Sequence, residues 1–68
     1  MKVQNEILDK VRNSTKIRRE LARELDLSDA SISRIIRENK ENGEFTKMVA
    51  VRVISANLNI PESVILIV

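Results

Sequence analysis

The sequence contains neither cysteine nor histidine. Without cysteine, no disulfide can stabilise so small a core, which favours a domain that folds in the cytoplasm over a secreted, disulfide-stabilised scaffold. Zinc fingers and zinc ribbons are excluded because their ligands are cysteine and histidine. A histidine base and a cysteine nucleophile are also impossible. We therefore expect a protein that is not an enzyme and that holds no metal and no cofactor.

Aromatic side chains and long apolar runs are scarce as well. Phe45 is the only aromatic residue, so the chain offers no stacking platform for single-stranded nucleic acid or RNA. The aliphatic run "VILIV" at residues 64–68 is far shorter than the roughly 20 apolar residues that span a bilayer. A chain of 68 residues can also hardly enclose a pocket. We therefore expect neither a membrane-spanning helix nor a small-molecule substrate.

Charge is distributed unevenly along the chain, although the formal net charge is only +2. Residues 10–40 contain nine lysines and arginines against five acidic residues, a net charge of +4, whereas the rest of the chain has a net charge of −2. A basic region of this kind suits a surface that faces phosphate groups. The alternative is an ordinary solvated helix surface.

Hydrophobic spacing predicts one domain over residues 1–68, a compact all-α bundle of about five short helices. Apolar residues recur at helical spacing in four segments: Val3, Ile7, Leu8 and Val11; Ile17, Leu21 and Leu25; Ile32, Ile35 and Ile36; and Val51, Ile54 and Leu58. Ser14 or Thr15 is suited to cap the second helix, Ser28 the third and Thr46 the fourth.

The C-terminal part of the chain leaves two interpretations open. Residues 47–55 are rich in β-branched side chains, which by themselves favour a strand. The alternative fold is therefore Cro-like, with three helices followed by a C-terminal β-hairpin in which "KMVAVRVIS" pairs with the "SVILIV" of residues 63–68. We prefer a fourth helix because of the helical spacing, and Pro61 then predicts the first turn of a brief fifth helix.

The most informative segment is "RRELARELDLSDASISRII", at residues 18–36. Ala22 is small where two helices must cross closely, and Leu25, Leu27, Ile32 and Ile35 supply the core that fixes the angle between them. The segment resembles the helix-turn-helix of the phage repressor and Cro family.

The turn of this motif departs from the family, which commonly has glycine where this chain has Asp26. Aspartate tolerates the left-handed conformation less readily than glycine. The resemblance covers residues 16–65, since "ISANLNIP" is similar to the end of the family's fourth helix. It implies a lambda-repressor-like fold with its helix-turn-helix at residues 16–39.

The resemblance implies that the helix from Asp29 to about Asn39 is a recognition helix, whose N-terminal end enters the major groove of duplex DNA. The residues that would then contact the DNA are Arg18, Ser28, Asp29, Ala30, Ser31, Ser33, Arg34 and Arg37. Arg18 matches a family position that often contacts the DNA backbone. Arg34 is the candidate for a bidentate contact to guanine.

Several of these positions also have ordinary structural interpretations. Arg34 could be solvated or could pair with Glu38 one turn later. Asp29 could accept a hydrogen bond from cytosine, but an acid at a helix start more often stabilises the helix dipole, and it repels phosphate. Ser28 is more often simply an N-cap, although Ser28 and Ser33 could also donate to phosphate oxygens.

The C-terminal "VILIV" is the second informative segment. Five consecutive aliphatic residues exceed what the closing turn of a minimal domain needs, which predicts a surface that another chain covers. We expect Ile65 to point into the core and the interface to consist of Val64, Leu66, Ile67 and Val68. The alternative is that the segment covers the core of its own chain.

Two functions follow from these features. The first is a small phage-type transcriptional regulator that binds duplex operator DNA in a lysis/lysogeny-type switch, in the cytoplasm of a bacterial host. A homodimer would place two recognition helices about 34 Å apart, matching palindromic half-sites. The second is an antirepressor, or modulator of repression, that binds another repressor protein through its helix-turn-helix or its C-terminal apolar surface. The low net charge and the acid at position 29 keep this alternative open.

Overall fold

The computed structural model describes all 68 residues, and 68% of them are helical. The four α-helices are α1 (Asn5–Arg12), α2 (Thr15–Leu25), α3 (Asp29–Glu38) and α4 (Met48–Leu58). Two short 3-10 turns, Glu44–Thr46 and Glu62–Val64, flank α4, and the strands β1 (Lys2–Val3) and β2 (Leu66–Ile67) form a small antiparallel sheet. The prediction of a mostly helical fold is confirmed, whereas the sheet was not expected in this form.

Serine side chains begin the two central helices, as the sequence predicts. Ser14 Oγ accepts a hydrogen bond from the backbone N–H of Ile17 at 3.2 Å, and Ser28 Oγ accepts one from that of Ser31 at 3.1 Å. Each bond satisfies one of the N–H groups that have no partner inside the helix. The choice between Ser14 and Thr15 is thereby resolved, since Thr15 is the first residue of α2.

The end of α2 is a left-handed turn at Asp26, whose φ and ψ are 55° and 50°. The N–H of Leu27 donates to the carbonyl of Ala22 at 2.8 Å, and the N–H of Asp26 donates to that of Arg23 at 3.3 Å. These two bonds form a Schellman motif, which satisfies the last carbonyls of the helix and turns the chain. Asp26 therefore adopts the left-handed conformation that glycine commonly adopts at the end of a helix.

Four residues of the chain have the left-handed backbone conformation, all of them in turns or at helix ends. They are Asp26, Asn39, Asn42 and Asn59, all of them residue types that tolerate this conformation. Gly43, the single glycine, has a negative φ. The chain thus makes its tight turns with asparagine and aspartate.

One hydrophobic core holds the helices together. It consists of Val3, Ile7, Leu8, Val11, Ile17, Leu21, Ile32, Ile36, Phe45, Ala50, Val51, Val53, Ile54 and Ile65. α2 packs against α1, α3 and α4, and Leu21 at its centre is fully buried. No polar or charged residue is buried, so the core is stabilised by apolar burial and not by internal ion pairs.

The two strands join the beginning and the end of the described chain. Val3 lies opposite Leu66, and the backbone N–H of Gln4 donates to the carbonyl of Ile65 at 3.0 Å. The outer edge of β1 is covered as well, because the Asn39 side chain donates to the Val3 carbonyl at 3.1 Å. Nearby, the amino group of Met1 hydrogen-bonds to the Glu41 carboxylate, which lowers the pKa of Glu41.

Two predictions about the helices are wrong. The predicted fifth helix at Pro61 is a single 3-10 turn, because Leu66 and Ile67 soon after it pair with β1 as a strand. There are therefore four α-helices and not about five. Val3, whose spacing predicts a place in the first helix, lies in β1 and is buried there. Ile7, Leu8 and Val11 line the buried face of α1 as predicted.

The alternative with a C-terminal hairpin is also wrong. Residues 47–55 do not pair with residues 63–68, since all but the first lie within α4, and β2 pairs with β1 instead. The helix buries Ala50, Val51, Val53 and Ile54, and the two adjacent pairs in this set do not fit the alternation of a strand. Thr46 does not cap α4, because its hydroxyl donates to the carbonyl of Gly43 and Lys47 is the N-cap residue. None of the four helices has the length and apolar character needed to cross a bilayer.

Candidate nucleic-acid interface

The helices α2 and α3 are joined by the three residues Asp26, Leu27 and Ser28. Leu21 of α2 and Ile32 of α3 are both fully buried, and Leu27 in the turn packs against the same core. Both ends of the turn are hydrogen-bonded, by the Schellman motif on one side and the serine cap on the other. The pair is therefore held in a fixed relative orientation.

The outward side of α3 carries most of the residues that the sequence singled out. Ile32 and Ile36 face the core, and Ser31 and Ile35 are half-buried. The exposed residues of this helix that were predicted to contact DNA are Asp29, Ala30, Ser33, Arg34 and Arg37. The structure thus brings them together on one continuous exposed side of one helix.

The hydroxyl groups at the start of α3 are used locally. Ser28 Oγ caps the helix and also donates to Ser31 Oγ at 3.0 Å. The structural interpretation of Ser28 is confirmed by this geometry. Ser31 Oγ accepts that bond and keeps its own hydrogen for another acceptor. Asp29 is exposed in the first turn, where its negative charge is favoured by the helix dipole.

Arg34 is exposed and makes no ion pair within α3. Glu38, the partner that helical spacing offered, lies 3.8 Å from Lys40 Nζ instead. Arg34 lines a groove of about 360 Å³ together with the loop after α3, including Lys40 and Lys47. The acids in this groove are also paired, since Glu44 contacts Lys47 at 2.9 Å. The Arg34 guanidinium therefore remains available for an external acceptor.

A second groove, also of about 360 Å³, lies beside α3. We call it the arginine groove; its lining is Arg12, Arg18, Ser33, Ile36 and Arg37. The side chains come from the end of α1, the first turns of α2, and α3. Arg18 and Arg37 make no ion pair, while Arg12 is paired with Asp9 on the same helix. The groove is therefore strongly basic.

Arg12 was not among the predicted site residues. The sequence places it six positions before Arg18, and only the packing of α1 against α2 and α3 brings it to the same groove as Arg37. The helical spacing of α1 does not predict a binding role for Arg12. A basic residue at the end of a helix is most simply explained as a solvated side chain that interacts favourably with the helix dipole. A basic residue on each side of the short "NST" break is the one signal that could have identified it.

The predicted protein interface is divided by the structure. Ile65 is fully buried, as expected, and Leu66 is half-buried against the core. Val64, Ile67 and Val68 are exposed, by 41%, 38% and 102% respectively. We call these three residues the C-terminal apolar patch. Leu66 thus contributes to the protein's own core and only in part to its surface.

The chain offers no cluster of three or more histidine, cysteine, aspartate or glutamate side chains that could hold a metal ion. Comparison with family models, with curated protein sequences and with solved structures finds nothing that matches this chain. A function has to be inferred from the arrangement of its own residues.

Proposed function

We propose that this protein is a small phage-type transcriptional regulator that binds duplex operator DNA, with α2 and α3 acting as a helix-turn-helix. The observation that carries the proposal is the exposed side of α3, where Ser33, Arg34 and Arg37 are free of intramolecular partners. An α-helix fits the major groove of B-DNA, where arginine reads guanine and phosphates lie on either side.

The fixed turn supports this proposal physically. A helix that reads bases must be held at a defined angle to the rest of the protein, and the cap at Ser28 and the bonds at Asp26 provide that. The three-residue connection and the small Ala22, which packs against the core, are both typical of a helix-turn-helix. The resemblance of residues 18–36 to the phage repressor and Cro family points the same way.

In this mechanism the two grooves beside α3 have different roles, one in binding the DNA backbone and the other in reading a base. Arg18 and Arg37 attract the DNA backbone, which positions the helix without reading sequence. Arg34 donates two hydrogen bonds to guanine O6 and N7, and Ser31 donates its free hydroxyl hydrogen. Asp29 at the helix start disfavours phosphate and accepts from a cytosine amino group.

The proposal is tested by selecting duplexes from a random-sequence pool and measuring affinity by fluorescence anisotropy at several salt concentrations. We expect one duplex sequence to be enriched. We also expect the logarithm of the affinity to fall linearly with the logarithm of the salt concentration, because arginines that bind the phosphates release the cations bound there. Failure to enrich any duplex, or affinity independent of salt, would contradict the proposal.

Arg34→Ala is the matching variant, and Arg52→Ala is its control. Arg52 is also an exposed arginine, but it lies on α4 beside Glu20 and Glu24. We expect Arg34→Ala to weaken the selected site by about 1–3 kcal/mol and to relax the preference at one base pair. The Arg52→Ala variant should retain that preference. Equal effects of both substitutions would mean that Arg34 does not read a base.

A second candidate function is favoured by the C-terminal apolar patch. We propose as the alternative that the protein is an antirepressor, binding another repressor protein through α2 and α3 or through the patch. Val64 and Ile67 are exposed aliphatic side chains, which suit a protein partner better than a phosphate backbone. A purified repressor that binds the chain in the absence of DNA, together with no selection of duplexes, would favour this alternative.

A homodimer is compatible with the first proposal. Two copies that meet through the patch would present two α3 helices to successive half-sites of one palindromic operator. Sedimentation of the free protein tests this arrangement, and a palindrome among the selected duplexes is the expected companion result.

A further inference from the structure

Three arginine side chains line the arginine groove. Arg12, Arg18 and Arg37 come from three different helices, so their convergence is a product of the fold and not of one helix face. Like charges that line one groove repel each other, and a bound anion reduces that repulsion. The Asp9 carboxylate contacts Arg12 alone. Arg18 and Arg37 have no acidic partner.

Arg18 supplies a second, independent observation. Its side chain is partly buried, and its Nε is fully buried without any protein atom to accept its hydrogen. A buried donor without an acceptor is unfavourable, and such groups are rare in folded proteins. Arg18 lines the groove, and a rotation of its guanidinium would bring the buried Nε–H to an acceptor held there.

The donors around the groove match a phosphate group. A guanidinium presents several N–H donors in a planar fork, which suits the oxygens of phosphate, and Ser33 adds a hydroxyl donor. Three arginines and a serine offer more donors than the two oxygens of a carboxylate can accept. The apolar side chain of Ile36 completes the lining and provides no competing acceptor.

We propose that the arginine groove binds a single phosphate group, held by Arg18 and Arg37 with Arg12 and Ser33 at its sides. The phosphate belongs either to a DNA strand or to a free phosphate compound. Only the first source rests on the proposed function. In that case the groove fixes one backbone phosphate beside α3 and thereby sets the register in which Arg34 meets its base.

The experiment follows the guanidinium Nε–H signals of the 15N-labelled full chain by NMR. Inorganic phosphate, pyrophosphate and the selected duplex are titrated separately, with acetate as a control anion. We expect a saturable shift of the Arg18 Nε–H signal with phosphate or pyrophosphate, a larger one with the duplex, and none with acetate. Absence of any shift of that signal with all three phosphate probes overturns the proposal.

Three variants make the test specific. Arg18→Gln and Arg37→Gln should each weaken pyrophosphate binding by about tenfold or more, because a charged hydrogen bond is lost. Arg18→Lys keeps the charge but lacks the Nε–H, and it should also lose most of the affinity. Arg52→Gln is the matched control and should bind normally. Circular dichroism verifies that each variant is folded, and equal binding by all four folded variants overturns the proposal.

Binding of the selected duplex by the same variants distinguishes failure of the groove proposal from failure of the proposed DNA-binding function. Arg18→Gln should reduce the slope of logarithmic affinity against logarithmic salt concentration by about 1, with base preference retained. A duplex that binds with unchanged affinity and slope after Arg18→Gln and Arg37→Gln overturns the DNA strand as the source of the phosphate and leaves the DNA-binding function intact. Phosphate binding in the groove with no duplex selected leaves the groove intact and overturns the DNA-binding function.

Discussion

Replacing Asp26 with glycine should stabilise the protein, whereas most glycine substitutions destabilise. Asp26 ends α2 with φ 55° and ψ 50°, a conformation in which the Cβ of an L-residue crowds the backbone. For an ordinary residue this crowding costs about 1–2 kcal/mol. Glycine has no Cβ and avoids this cost. Its greater conformational freedom in the unfolded chain lowers the free energy of unfolding by about 0.4–1 kcal/mol, which offsets part of that stabilisation.

The comparison with alanine gives the clearest magnitude. We expect Asp26→Gly to be more stable than Asp26→Ala by about 1 kcal/mol, which is the difference between those two terms. The wild-type chain should lie between them, since aspartate tolerates the left-handed region better than alanine. For a domain of this size, 1 kcal/mol corresponds to a shift of roughly 4–8 °C in the melting temperature.

Thermal and urea unfolding, followed by circular dichroism, measure the difference. The matched control is Glu24, two residues earlier in α2, where the backbone is helical. There the order should reverse, with glycine about 1 kcal/mol less stable than alanine. A glycine variant that is less stable than the alanine variant at position 26 as well would refute the assignment of strain to Asp26.

Three further predictions concern other parts of the molecule. Leu21→Ala removes the fully buried centre of the core and should cost about 2–5 kcal/mol in urea unfolding. Ser28→Ala removes the cap of α3 and should cost about 1 kcal/mol, whereas Ser63→Ala, at an exposed position, should leave the melting temperature unchanged. Ile67→Glu should abolish any self-association seen by sedimentation while helicity is retained, and Val49→Glu on α4 should not.

Local signals were sufficient to predict the central helices. Ser14 and Ser28 have side chains that cap a helix start, and Asp26 belongs to the few residue types that enter the left-handed region, so short-range chemistry fixes both ends of α2 and the start of α3. The exposed side of α3 follows from the same periodicity. For this reason Arg34 and Arg37 could be placed on one surface from the sequence alone.

Long-range features were not predictable in the same way. Val3 continues the apolar spacing of α1, and only its pairing with Leu66 at the far end of the chain makes it a strand residue. The convergence of Arg12 with Arg37 likewise depends on how α1 lies against α3. In α4, β-branched composition and helical spacing predicted different structures, and burial of Val51 and Ile54 against the core decided for the helix.

The pairing of β1 with β2 has a consequence for the order of folding. Gln4 contacts Val64, sixty residues away, so forming the sheet closes a loop that contains all four helices. The entropic cost of closure rises with loop length, whereas α1, α2 and α3 meet through short connections. The sheet should therefore form after the transition state. Val3→Ala and Ile65→Ala should accelerate unfolding while leaving the folding rate almost unchanged.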